Sequence, residues 1–290
     1  MKPIDTLFIA GVGLIGGSLG LSLKKNNLVT NVIGFGRSRK NLELAKSIGA
    51  IDEIATDLKA AKDAEIILLA VPVFTIDALA QDILPHLNDT SIVTDVGSTK
   101  MDVISRMRTS LGYRFPQYIP GHPIAGGEKS GAGAAKSDLF TDHKVLLTPE
   151  KDTNLPALTR IADMWSSTGA TVTQMQAEHH DVVLALTSHL PHVLAFALVN
   201  YLTNDKHANQ CFELAAGGFL DFTRIASSDP EMWRDICLSN KTGLLKTIDK
   251  FSDELATLRG MIASGEKDQI EAIFRNARSS RDKLVDHRTK

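Results

Sequence analysis

Apolar residues along this chain fall into two rhythms, and the change between them comes once. Over the first 174 residues, short apolar runs alternate with stretches of helical spacing. "DTLFIAGVG" reads as a strand and "GLIGGSLGLSLKKN" as a helix opened by glycine. "TNVIGFG" is a strand and "RKNLELAKSIG" a helix closed by Gly49. "AEIILLAVP" is apolar almost throughout, as expected of a strand buried on both faces. "VFTIDALAQDILPHL" and "TKMDVISRMRTSLG" suit helices on either side of the strand "TSIVTDVG". "YRFPQYIPG" and "HKVLLTP" predict further strands, "LPALTRIADMWSSTG" a helix and "ATVTQM" a last strand. Strands alternating with helices of this length predict an α/β fold with a doubly wound, mostly parallel sheet.

After Met175 the strand rhythm stops. Residues 176–202, 208–219, 230–260 and 266–285 suit helices joined by short loops. The expected division is a sheet domain over 1–174 and an all-α domain over 175–290. A helical half of that size, with one long uncharged segment, carries more apolar surface than it needs for its own core. An all-α dimerisation domain and a homodimer are therefore expected.

Composition narrows the class without choosing a chemistry. Hydrophobic residues make up 43% of the 290, and mean hydropathy is −0.03, so a sizeable core is available. A net charge of −2 gives no global field for nucleic acid or an anionic membrane. Cys211 and Cys237 are too few for a disulfide framework or a zinc site, and are expected to be buried thiols in the reducing cytoplasm. "MKPIDTLFIAGVG" is not expected to be a secretory leader, because its apolar run is short and leads into glycines. Val182–Asn204 lacks Asp, Glu, Lys and Arg and is long enough to span a bilayer. "TSHLPH" interrupts it with polar residues and a proline, so a buried helix of a soluble domain is expected instead.

The chemistry begins at "FIAGVGLIGGSLG", where Gly11, Gly13 and Gly16 have G-x-G-x-x-G spacing between a strand and a helix. In that context the spacing predicts a Rossmann-type dinucleotide site. The first glycine permits the turn, the second admits the pyrophosphate, and the third lets helix and strand pack. Leu14 and Ile15 then offer the helix N-terminus to the phosphates. The second strand ends in "VIGFGRSRKN". Gly36 stands where an NAD site usually places an acid, and Arg37, Ser38 and Arg39 follow. Guanidinium and hydroxyl groups suit a 2′-phosphate, so NADP is expected to be preferred, with NAD possible. Val71 and Pro72 are expected beside the cofactor at the end of the third strand. Asp95 and Ser98, in "TDVGSTK", are expected at the carboxyl edge of the next one. For Ser98, a catalytic role and a helix N-cap are both open.

His122 lies in "IPGHPIAGGEKSGAG", too rich in glycine to pack a core. Pro123 restricts its backbone, and an imidazole near its usual basicity suits a general base. His189 and His192 stand three apart in "TSHLPH". With no Asp, Glu or Cys nearby, binding a polar ligand is expected and a metal is not. Arg224, amid apolar residues in "FLDFTRIASSDPEMW", needs an anion. That anion is either Asp221 or Asp229 or a substrate carboxylate.

Taken in order, "GVGLIGGSLG", "DVGSTK", "GHPIAGGEKSG", "SHLPH" and "GGFLDFTRIASSDPEMW" resemble the prephenate/arogenate (cyclohexadienyl) dehydrogenases of tyrosine biosynthesis. The resemblance runs from about residue 5 to 285, and its G-H-P-x-A-G and D-F-T-R-I-A motifs are far more specific than the glycine fingerprint. It is closest to the short, monofunctional type, with no fused mutase or regulatory domain expected.

The resemblance implies oxidation at the C4 hydroxyl of prephenate or arogenate with loss of the ring carboxylate as carbon dioxide. It implies that His122 accepts a hydrogen bond from that hydroxyl and that Ser98 supports His122 and the nicotinamide. It further implies that Arg224 binds a substrate carboxylate, that Glu128 belongs to an ionic network at the site, and that His189, His192 and Trp233 line the pocket. Asp221 and Gly127 fall among the substrate-binding positions. Leu220 stands where many relatives are basic, so the choice between the keto acid and the amino acid stays open. Feedback inhibition by tyrosine is a further expectation. Two other readings compete: a β-hydroxyacid-type dehydrogenase, suggested by Lys136 in "SGAGAAK", and a non-enzymatic NADP-sensing module.

Overall fold

In the computed structural model, residues 2–288 are described. β1 (Ile4–Ala10) leads into α1 (Leu14–Lys25), and β2 (Val29–Phe35) into α2 (Arg39–Ser47). A short β3 (Glu53–Ile54) is followed by β4 (Ile66–Leu69), α3 (Ile76–Ile83), β5 (Ile92–Asp95), α4 (Met101–Leu111) and β6 (Tyr118–Ile119). These six strands form one parallel sheet in the order β3-β2-β1-β4-β5-β6. Along β1, Leu7 and Ile9 enter one core and Phe8 and Ala10 the other, and β4 alternates in the same way. Helices cover both faces of such a sheet, which is why a central strand such as β4 (IILL) reads as an unbroken apolar run.

A second sheet joins β7 (Gly121–Pro123), β8 (Lys144–Leu147) and β9 (Thr171–Gln174), with α5 (Leu155–Ser166) crossing over between the last two. β7 is antiparallel to β8. The segment "YRFPQYIPG" therefore differs from the single strand expected. Gly112–Gln117 forms a 3₁₀ turn, Tyr118–Ile119 pairs with β5, and Gly121–Pro123 pairs in the other sheet. Pro116 and Pro120 have no N–H to donate to a ladder, so the strand cannot run through them.

The helical part opens with α6 (Ala177–Leu184), a π turn over Ala185–His189 and α7 (Leu190–Thr203). Pro191 cannot donate to the preceding turn, and the widened π turn lets the rod continue past it. α8 (Ala208–Glu213), α9 (Gly217–Thr223) and α10 (Pro230–Ser239) follow, then α11 (Lys241–Ser264) and α12 (Lys267–Arg288). Two of the expected helices are broken, before Gly217 and at Asn240. At Asn240 the backbone leaves helical geometry, and its side-chain amide donates to the Asp181 carbonyl (2.8 Å) and to His189 Nδ1 (3.2 Å).

Compactness and composition divide this chain differently. Composition changes at residue 174, whereas the compact units meet between Lys241 and Thr242. Helices α6–α10 stay with the sheet because polar contacts tie them to it. Asp181 accepts from the Lys100 and Met101 N–H groups (2.8 and 2.9 Å), and Ser239 donates to Asp102 (2.8 Å). The second unit is the helical pair α11–α12, turned at Gly265 with φ +70°.

Ala177–Thr203 is the one helix among the described residues long and apolar enough to cross a membrane. Only 28% of its most apolar window is buried within one chain, so it is more open than the buried helix expected. Val182, Leu186 and Tyr201 are exposed on it. Cys211 and Cys237 are free thiols, half-buried rather than buried as expected.

Candidate active site

Strand order reverses between β1 and β4, which opens a crevice at their carboxyl ends. Gly11 (φ +95°) makes the turn there; a Cβ on it would sit 2.1 Å from the Ala70 carbonyl oxygen. A Cβ on Gly16 would sit 2.4 Å from the Gly11 oxygen, so α1 can approach only through glycine. Gly13 is the opposite case, with nothing within 4 Å of where its Cβ would be. That open cradle lies at the N-terminus of α1, which has no side-chain cap and no acid in its first turn. Leu14 and Ile15 open the helix there, and the arrangement fits a dinucleotide pyrophosphate. Val71 lies against Gly11 on the far side, and Pro72 is exposed beside it.

At the end of β2, Arg37, Ser38 and Arg39 are all exposed. Ser38 caps α2 by accepting from the Asn41 N–H (3.3 Å), and Arg39 pairs with Glu43 (2.9 Å). Among the described residues, neither Arg37 nor the exposed Lys40 makes a side-chain hydrogen bond or ion pair.

Asp95 ends β5 at the carboxyl edge, as expected, but its carboxylate is engaged by the protein's own groups. Its side chain is fully buried and all its acceptor capacity is used. One oxygen accepts from Tyr118 OH (2.8 Å) and the Gly121 N–H (3.1 Å); the other accepts from the Gly97 N–H (2.8 Å) and Lys100 Nζ. Lys100 also donates to the Gly121 carbonyl (2.7 Å). Asp95 thus fastens the ends of β5, β6 and β7 together. Burial, together with this neighbouring charge, pushes the Tyr118 phenol well above its usual range.

His122 sits on β7 opposite Leu146, only 8% exposed. Its Nδ1 lies 2.9 Å from His180 Nε2, and His180 Nδ1 lies 2.8 Å from Asp181 Oδ1. A carboxylate only accepts, so His180 carries its proton on Nδ1 and its Nε2 accepts from His122 Nδ1–H. This leaves a lone pair on His122 Nε2, which makes no hydrogen bond among the described residues. Burial, then the nearness of His180, Lys100 and His189, holds the His122 basicity well below the usual imidazole value. The ring is therefore neutral, and able to accept a proton, at neutral pH.

Ser98 is half-buried on the loop before α4. It does not cap that helix. Asp181 does so from α6, which removes the capping alternative for Ser98.

Arg224 is paired with Glu128, across 96 residues of sequence, and both are exposed. Neither of the local acids considered fills that place: Asp229 caps α10 by accepting from Met232 (2.9 Å), and Asp221 is exposed. Its own backbone, then Arg224, holds the Glu128 carboxyl below its usual range. His192 stacks on Trp233 with ring centres 3.6 Å apart, and its Nδ1 donates to the Ser188 carbonyl (2.9 Å). His189 meets the same indole edge-on at 6.1 Å. Asn240 donates to His189 Nδ1, so His189 holds its proton on Nε2. Burial lowers its basicity to about 4. His189 Nε2 and Trp233 Nε1 are buried N–H groups with no hydrogen-bond partner among the described residues.

The glycine-rich loop after His122 folds back over the dinucleotide half. Gly127 lies beside Leu14, with a Cβ position 3.8 Å from its Cδ2. Asn41 donates to the Val12 carbonyl (2.7 Å) and accepts from the Ala132 N–H (2.8 Å), and Lys136 N–H donates to Ser18 (2.9 Å). Sequence reasoning missed His180, Asp181, Asn41 and Asn240. The triplet "HHD" at 179–181 held the one signal, a run of polar residues early in a predicted helix.

A parallel sheet with a glycine cradle at its switch point, and a buried, oriented histidine on the strand beyond, defines a nicotinamide-dependent dehydrogenase of the Rossmann-plus-helical kind. Two family models match in tandem: "Prephenate dehydrogenase, nucleotide-binding domain" over residues 19–174 and "Prephenate dehydrogenase, dimerization domain" over 176–276. The chain belongs to the prephenate dehydrogenase family. It is 37% identical to a cyclohexadienyl dehydrogenase of Zymomonas mobilis, with 99% of each chain covered. It is 36% identical to a prephenate dehydrogenase of Bacillus subtilis, over 97% of this chain and 76% of that one. Among solved structures it resembles the Aquifex aeolicus prephenate dehydrogenase in complex with hydroxyphenyl propionate and NAD+ (TM-score 0.92, 34% identity, 97% and 98% covered). It also resembles the Synechocystis arogenate dehydrogenase (TM-score 0.81, 28% identity, 96% and 99% covered).

Proposed function

We infer that this protein oxidatively decarboxylates prephenate, arogenate or both, forming 4-hydroxyphenylpyruvate or tyrosine. The observation that carries the reading is His122 Nε2, a lone pair held by a fixed tautomer beside the dinucleotide crevice. When bound, the nicotinamide supplies the hydride acceptor. His122 takes the C4 hydroxyl proton as the carbonyl develops, which helps hydride leave that carbon. Loss of the ring carboxylate then returns an electron pair to the ring, and aromatisation drives the step forward. Arg224 anchors a substrate carboxylate, with Glu128 holding the guanidinium until substrate arrives. His189 Nε2–H and Trp233 Nε1–H offer two further donors, and His192, Asp221 and Gly127 complete the wall. Ser98 orients His122 and the nicotinamide.

The same reading divides the chain functionally near residue 174, into cofactor-binding and substrate-plus-dimer halves. It takes the enzyme as a cytoplasmic homodimer, with the open face of Ala177–Thr203 covered by a second copy. Arg37, unpaired at the end of β2, supports NADP over NAD. Product resemblance to substrate supports tyrosine as an inhibitor. The test is dinucleotide reduction with prephenate and with arogenate, using NADP and NAD in turn, while following 4-hydroxyphenylpyruvate and tyrosine. No reduction with either substrate would overturn the reading.

A further inference from the structure

Directly behind the base stand two residues that this reaction scheme does not use. His180 and Asp181 lie one turn into α6, and they are 0% and 5% exposed. The Asp181 carboxylate accepts from two backbone N–H groups at the start of α4 and from His180 Nδ1. His180 Nε2 faces His122 Nδ1 at 2.9 Å. Both nitrogens of both rings are thereby assigned, from the carboxylate outward to the open lone pair on His122.

Anchoring α6 to α4 needs only Asp181. A second imidazole buried at 0% exposure beside a lysine adds nothing to that anchor and carries a desolvation cost. The charges facing the pair complete the picture. Lys100, from the start of α4, is matched by Asp95 at the end of β5. His189, from the π turn, holds its proton on Nε2 and is neutral. Among the described residues, Asp181 has no Lys or Arg partner, only N–H groups and His180. It is a carboxylate whose counter-cation is missing until a proton arrives.

We propose that His180 and Asp181 are positioning residues for the reaction: they fix His122 in its Nδ1–H tautomer and hold the substrate's proton during turnover. The proposal rests on the reading of His122 as the base. As the C4 hydroxyl proton moves to His122 Nε2, the Nδ1 proton passes to His180 Nε2, forming an imidazolium against Asp181. Hydride leaves C4 for the nicotinamide, the bond to the ring carboxylate breaks, and its electron pair enters the ring. The phenolic oxygen then takes the proton back along the same path. No proton is gained or lost overall.

The test is a double-mutant cycle read as kcat and KM separately. Glutamine at 180 can accept and donate hydrogen bonds but cannot hold the proton. His180→Gln should lower kcat at least tenfold, with KM for prephenate changed less than about twofold. In a His122→Asn background the same change should have no further effect on kcat. A loss below tenfold in the native background, or an equal loss in both backgrounds, overturns the relay. If His122→Asn alone costs less than about tenfold, the base reading itself fails, which is a distinct outcome. Nitrogen-15 NMR of the histidines in the unsubstituted protein tests the tautomers without any variant. Protons on Nδ1 of both His122 and His180 are expected, and a proton on Nε2 of neutral His122 overturns the proposal.

Discussion

Lowering the pH should destabilise this protein through His189 more than through any surface group. The ring is 1% exposed, and its Nδ1 accepts from Asn240. Protonation would put two donors face to face in a site without water access. Burial lowers its basicity to about 4, against 6.5 for a free imidazole. The sign follows from which state binds the proton first. Between these values the unfolded chain is protonated and the folded chain is not, so stability is complete above pH 6.5 and falls as pH drops toward 4. At ~1.4 kcal/mol for each tenfold difference, the full loss is roughly 3 kcal/mol, and about 2.5 kcal/mol of it is gone by about pH 4.5. Urea unfolding at about pH 7 and about pH 4.5, at one fixed protein concentration, reads this directly. A His189→Gln variant cannot titrate there, so its loss between the two pH values should be smaller by about 2.5 kcal/mol. If the two proteins lose stability equally, His189 is not held neutral by its surroundings and the assignment of its donors is wrong.

His122→Asn should lower kcat by at least about 10² with KM little changed, because it removes an interaction made in the transition state. Because burial holds His122 low, the acid limb of kcat/KM for prephenate should fall below pH 6.5; a limb above that value would contradict the neutral ring. Arg224→Ala should mainly raise KM, by roughly tenfold or more, since it removes a charge-assisted anchor; an unchanged KM would place the substrate carboxylate elsewhere. Arg37→Ala should cut the preference for NADP over NAD in kcat/KM by about tenfold, and no change would leave the 2′-phosphate without its proposed cation.

The sheet was legible because its strands are covered on both faces, so β4 is apolar throughout and β1 is apolar from Leu7 to Ala10. β3 has only two residues, too few to carry a rhythm. The strand expected from Tyr113 to Gly121 failed because prolines decide hydrogen bonding locally, and periodicity does not register them. In the site, the glycines and His122 were visible because their residue types are odd for their place. His180 and Asp181 were not, since acid and histidine at the start of a helix look like a solvated end. Only folding brings them 58 residues across to His122. Asp95 misled for the converse reason: it lies at the carboxyl edge where ligands bind, but Lys100 and Tyr118 turn its carboxylate inward.

The π turn at Ala185–His189 acts as a phase shifter in the long rod. Each residue of an α-helix advances the face by about 100°. Deleting one residue between 185 and 189 would leave the composition and hydropathy of Ala177–Thr203 almost unchanged, yet every side chain after it would point a quarter-turn or more away. His192 would leave Trp233, and the apolar stripe of α7 would turn from its present neighbours. Length variation in this rod is therefore a change of wiring between its two ends, however conservative it looks on paper.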